Sequence, residues 1–156
     1  MDYYNQIAKS YNALHEEEQK KKLELMIKYL KPKEPILDIG AGTGISAKYF
    51  KNIVLLDPST EMLKKTKGKR VTAQAEKMPF KNKTFSTIIS ITALHHTDIK
   101  KAIKEIKRVS KPNCSYAFTI LKRAKKYALI RQELKKSFKL KEIDEEKDLL
   151  LISQTC

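Results

Sequence analysis

Three of the four glycines in this chain, Gly40, Gly42 and Gly44, fall within five residues of one another. They follow the short apolar run Pro35-Ile36-Leu37-Asp38-Ile39 and precede a segment, Ile45 to Phe50, with helical spacing. Glycine at such a junction permits a sharp turn with positive φ, and its missing Cβ lets a ligand lie against the backbone. A strand, a tight turn and a helix in that order form the ligand-binding unit of open α/β sheets, where ligands sit beyond the carboxyl ends of the strands.

The spacing narrows the ligand. A dinucleotide fingerprint reads G-x-G-x-x-G, whereas here the third glycine comes one residue early and Ile45 occupies the place of the last. A phosphate-binding P-loop requires a Lys-Ser or Lys-Thr pair after the turn, and none follows. Asp57 closes a second apolar run, Ile53 to Leu56, 17 residues after Gly40. A carboxylate there can accept hydrogen bonds from both hydroxyls of a ribose, or it can serve as a turn residue before Pro58. Asp38, at the end of the first run, is either a ligand contact or a buried structural acceptor.

Periodicity supplies the frame. Apolar residues at helical spacing in 2–14 and again at Leu23, Met26, Ile27 and Leu30 predict two N-terminal helices within 1–31. Ser59 and Asp98 are placed to cap helices, the first ending near Gly68 and the second carrying the stripe Ile99, Ala102, Ile103, Ile106, Val109. Lys111-Pro112-Asn113 is expected to end that helix. Further strands are expected at Arg70 to Ala73, Phe85 to Ile91 and Ser115 to Leu121, then a basic helix at 123–136. Two closing strands, Phe138 to Ile143 and Leu149 to Ser153, must pair antiparallel across their short turn. The alternation implies an α/β fold, an open sheet of about seven strands, mainly parallel with an antiparallel C-terminal strand and helices on both faces. At 156 residues, 41% of them hydrophobic, the chain suits a single domain, residues 1–156, with its α/β core at 35–156.

Four segments carry a resemblance to class I S-adenosylmethionine-dependent methyltransferases, in particular the broad group related to the quinone-biosynthesis C-methyltransferases. Ile36 to Gly44 looks like the family's first motif, and Leu56-Asp57-Pro58-Ser59-Thr60-Glu61-Met62-Leu63 is similar to its ribose-binding segment. Ala73 to Phe80 resembles the adenine-side loop. Ala93-Leu94-His95-His96 and Glu105 to Pro112 resemble the stretch from the fourth strand through the next helix. The likeness runs over roughly residues 36 to 121. It implies a Rossmann-like fold with S-adenosylmethionine as the cofactor. It further implies that Gly40, Gly42 and Gly44 line the methionine and ribose part, Asp57 takes the ribose hydroxyls, Pro58 flanks the adenine and Gln74 and Ala75 lie at its amino edge, with Asp38, Ala41 and Ile91 as further cofactor-binding residues. Three positions depart from the family pattern. Gln74 replaces a usual aspartate but can still accept through its amide oxygen, Ser86 replaces another aspartate, and Asn113-Cys114 replaces paired glycines.

Methyl transfer from a sulfonium relies chiefly on alignment, and a base is needed only where the nucleophile must lose a proton. His95 and His96 are candidates for that base or for a substrate contact, or they simply form the edge of the loop. Tyr3 and Tyr11 are candidates to close over the cofactor, or they pack as part of the first helix. The loop after the fourth strand lacks the Asn/Asp-Pro-Pro-aromatic tetrad that holds planar nitrogen acceptors in related enzymes.

The formal net charge of +15 favours anionic partners such as RNA, but lysines interleaved with glutamates read more readily as a solvated surface. The acceptor is therefore expected to be a small molecule, with RNA as the alternative. The segment at His95-His96 is also similar to that of tRNA wobble-uridine carboxyl methyltransferases, which work with an activator protein. A non-catalytic scaffold or regulatory subunit of the same fold is a third reading. Cys114 and Cys156 have no metal-ligand or CxxC spacing, so neither a disulfide nor a metal site is expected. The absence of a long apolar run or a signal peptide predicts a cytoplasmic protein without a membrane partner.

Overall fold

The computed structural model describes residues 2–64 and 68–153 and, for residues 2–12, the backbone alone. Seven strands form one sheet: β1 (Ile36–Ile39), β2 (Ile53–Asp57), β3 (Lys69–Thr72), β4 (Phe85–Ile91), β5 (Ser110–Leu121), β6 (Leu140–Asp144) and β7 (Asp148–Ser153). Their order across the sheet is β3-β2-β1-β4-β5-β7-β6. The first five pair in parallel, while β7 runs antiparallel to both β5 and β6. The expected sheet is thus present.

Alternate side chains along the central strands enter different layers, as the pleat demands. On one face Leu37, Leu56, Ile88, Phe118 and Leu151 pack with helices α3 (Ile99–Val109) and α4 (Tyr127–Ser137). On the other, Ile36, Leu55, Ile89, Ala117 and Ile152 pack with Leu23, Met26 and Leu30 of α1 (Asp2–Leu30). All five members of the predicted α3 stripe are buried. Ser59 and Asp98 cap α2 (Thr60–Leu63) and α3 as expected, accepting from the backbone N–H of Met62 and Lys101.

Four elements differ from the sequence expectation. The N-terminal segment is one continuous helix of 29 residues, because the polar run between its apolar stretches is, after His15, made of Glu, Gln and Lys, good helix formers with no Gly or Pro to break them. Ile45–Lys48 is a single 3-10 turn. The strand expected to begin at Ser115 begins at Ser110, directly after α3. Pro112 drives the preceding residue to extended backbone, so Lys111-Pro112-Asn113 starts β5, with a register shift against β4. The basic helix starts at Tyr127 and so occupies less of 123–136 than its composition implies.

One side-chain cluster fixes the loop after β3. The Arg108 guanidinium donates to the carbonyls of Phe80 (2.6 Å) and Met78 (2.9 Å) and to the Glu105 carboxylate, while Glu105 accepts from the Met78 N–H at 2.8 Å. The Arg108 partner holds the Glu105 carboxyl below its ordinary value. Loop 73–80 is thereby clamped to α3. Arg108→Ala is expected to cost about 2 to 3 kcal/mol in urea denaturation, since a charged donor to several groups is lost. Hydrogen exchange in that mutant should rise in residues 73–80 more than in the sheet.

Candidate functional site

The chain leaves β1 to form β2 on one side and later returns to place β4 on the other, so the direction of winding reverses between β1 and β4. Open α/β sheets have a crevice at such a point. Here it is a cavity of about 530 Å³ over the carboxyl ends of β1, β2 and β4, within the range of cofactor and small-molecule sites.

The glycine turn forms its floor. Gly40 and Ala41 donate their N–H groups to the Leu56 carbonyl at 2.8 and 3.0 Å. A Cβ on Gly40 would lie 2.2 Å from the Ala93 Cβ, and its φ of +71° is one that side chains resist. Glycine at 40 is therefore what allows the β1 turn to meet the loop after β4. Gly42 donates to Asp57 Oδ2 at 2.9 Å, and Ser59 donates to Asp57 Oδ1 at 2.9 Å. The Asp57 carboxylate both ties the turn to β2 and retains lone pairs for a ligand.

Asp38 is 3% exposed. Ser46 Oγ donates to its Oδ2, and no other hydrogen bond to its carboxylate is present among the described residues. Burial pushes its pKa up to about 7, opposed by the Ser46 hydrogen bond and reinforced by the nearby charge of Asp57. A positive group beside such a carboxyl would bring it back toward its ordinary acidity.

Most residues singled out from the sequence converge here. Asp38, Gly40, Ala41, Gly42, Asp57, Pro58, Gln74, Ala75, Ile91 and His96 all line the cavity. Gly44 does not; it sits behind the wall, donating to the Ala41 carbonyl and heading the 3-10 turn. His95 does not line it either. Its ring lies 3.9 Å from that of His96, and its pKa is lowered by burial and then by His96 and Lys126. The side chains of Tyr3 and Tyr11 lie outside the described residues. Among the described residues no group of three His, Cys, Asp or Glu could hold a metal, and no helix is long and apolar enough to cross a membrane.

Sequence reasoning missed His15, Glu16 and Gln19, which line the cavity from α1. Gln19 Nε2 donates to Thr92 Oγ1 at 3.4 Å, joining α1 to the loop after β4. Thr92 was also missed. It has φ +48°, an unusual conformation for a β-branched residue and one that clusters at functional sites. Its N–H donates to Thr119 Oγ1 at 2.8 Å, which helps hold it there.

Residues 37–118 match the family described as "Methyltransferase domain". The Methanocaldococcus jannaschii protein MJ1252 is 39% identical over 145 residues, 88% of this chain and 58% of that protein. The chain spans about half the length of the curated relatives it matches first. Among solved structures, PH0226 of Pyrococcus horikoshii superposes with a TM-score of 0.73 at 19% identity, over 88% of this chain and 89% of that one. A second, at TM-score 0.70 and 16% identity over 89% and 76%, is the complex of the Haloferax volcanii Trm112 methyltransferase activator with a methyltransferase.

The raised pKa of Asp38 makes a stability prediction. The folded chain holds this proton more tightly than the unfolded one, so the stabilisation is complete below about pH 4 and is lost as pH rises toward 7. Asp38→Asn keeps the shape and removes the penalty. The mutant is expected to gain on wild type by on the order of 2 kcal/mol between pH 5 and pH 8 in ligand-free chemical denaturation. A constant difference across that range would show that the carboxyl titrates normally.

Proposed function

From the premise that the chain belongs to the methyltransferase-domain family, we propose that it binds S-adenosylmethionine in the cavity over β1, β2 and β4. It transfers the methyl group to an acceptor, a small molecule ahead of RNA. The observation that carries this reading is the pair of buried carboxylates, Asp38 and Asp57, in the wall of a cavity bounded by a glycine turn. A nucleoside bearing a positive sulfonium and an ammonium group fits that charge, and a nucleotide with phosphates does not.

Bound S-adenosylmethionine supplies a methyl group on a sulfonium, open to in-line displacement. Asp57 accepts the ribose hydroxyls while keeping its two backbone partners. Gly40, Ala41 and Gly42 present bare backbone to the ribose and methionine portion, and Gly44 holds the turn from outside. Asp38 faces the ammonium end. Pro58, Gln74 and Ala75 flank the adenine, on a loop that Arg108 and Glu105 hold in place, and Ile91 contributes an apolar wall. Alignment and exclusion of water are the chain's contribution to rate.

The alternative is an RNA acceptor with an activator protein completing the site. The complex with the Trm112 activator supports it only through a shared fold. Part of the basic surface is matched by acids: Arg131 and Lys135 of α4 both meet Glu142, and Lys122, just after β5, meets Asp144.

Calorimetric titration tests the reading. S-adenosylmethionine should bind wild type saturably, and Asp57→Ala should lose about 1.5 to 3 kcal/mol of that affinity, the value of a hydrogen bond to a charged group. Absence of binding by folded wild type would refute an independent enzyme and leave a partner-completed site or the scaffold reading.

A further inference from the structure

In this chain 33 of 156 residues are lysine or arginine, yet none of the described residues lining the cavity is one. Its charged lining residues, histidines aside, are Glu16, Asp38, Asp57 and Glu76. Two of these carboxylates belong to the cofactor reading above, and Glu76 Oε2 faces the Asp98 N–H at 3.4 Å. Glu16 is left. It projects from α1 at the exposed mouth, on the helix that Gln19 ties to the loop after β4, and His96 and Thr97 of that loop line the same cavity. Lys126 directs its ammonium to the carbonyl of Thr97, one of these lining residues, at 3.3 Å.

We propose that the acceptor is a small amine, held as its ammonium by Glu16 at the mouth between α1 and the 92–97 loop. The inference rests on the methyl-transfer reading. A carboxylate or phosphodiester entering this mouth meets Glu16 with no described lining cation to offset it, whereas an ammonium meets opposite charge. Surface charges more than about 8 to 10 Å from the mouth are screened by salt. In the reaction the bound ammonium gives one proton to the His96 imidazole. The freed nitrogen lone pair forms the N–C bond as the C–S bond breaks, its electron pair staying on sulfur. The product leaves as a methylammonium carrying the charge that the sulfonium lost.

The test begins with protein saturated with S-adenosylhomocysteine, followed by calorimetric titration of phenethylamine, hydrocinnamate or an unmodified tRNA transcript. Phenethylamine should bind at least about tenfold more tightly than hydrocinnamate, and Glu16→Gln should erase about tenfold of its affinity while leaving that for S-adenosylhomocysteine unchanged. With S-adenosylmethionine, the amine should release S-adenosylhomocysteine. No amine binding, a preference for hydrocinnamate or tRNA, or an amine affinity indifferent to Glu16→Gln overturns the proposal. Failure of the methyl-transfer reading would appear earlier and separately, as failure of the protein to bind the cofactor pair at all.

Discussion

The site depends on one carboxylate. Asp57 ends β2, yet its two oxygens receive the backbone N–H of Gly42 from the turn after β1 and that of Ser59 at the head of the next helix. Two neighbouring strands thus have their loops set by a single side chain. Gly40 closes the third side, since only a residue without Cβ lets the turn reach Ala93 beyond β4. Parallel pairing aligns the three strand ends, but these contacts determine that the space over them is a cavity.

Residues with strong local signals were legible in the sequence. β4 runs from Phe85 to Ile91 as its β-branched run indicates, the α3 stripe is buried, and Ser59 and Asp98 cap where a short polar acceptor precedes a helix. The glycine turn and Asp57 could be read because their spacing is local and their chemistry is restrictive. What was not legible depended on tertiary placement. His15, Glu16 and Gln19 lie in a run of polar helix formers that is indistinguishable from a solvated face until α1 is laid across the sheet. Arg108 was visible as part of a motif, but its task of clamping loop 73–80 depends on carbonyls 28 and 30 residues away. The start of β5 was misread because proline and asparagine ordinarily mark a turn, and here they open an irregular strand.

α1 contributes more than cover for one face of the sheet. Its C-terminal half supplies Leu23, Met26 and Leu30 to the core, while His15 and Glu16 reach the cavity mouth. Lys22 joins the two functions by pairing with the buried Asp148 at the start of β7, at 3.0 Å. One Asp148 oxygen has no hydrogen-bond partner. Loss of the lysine would therefore leave a poorly solvated carboxylate, which is far more costly than the pair itself is stabilising. The helix is thereby held in register with the cavity, and the position of Glu16 follows from packing two turns farther along.

Asp38 shows why such a site conflicts with stability. A buried carboxyl with one hydrogen bond and a neighbouring acid is poorly accommodated, which is why its pKa rises toward neutrality. An apolar residue there would make a better core. A lysine in the cavity wall beside Asp38 would pair with that carboxyl and oppose the rise that burial and the Asp57 charge produce.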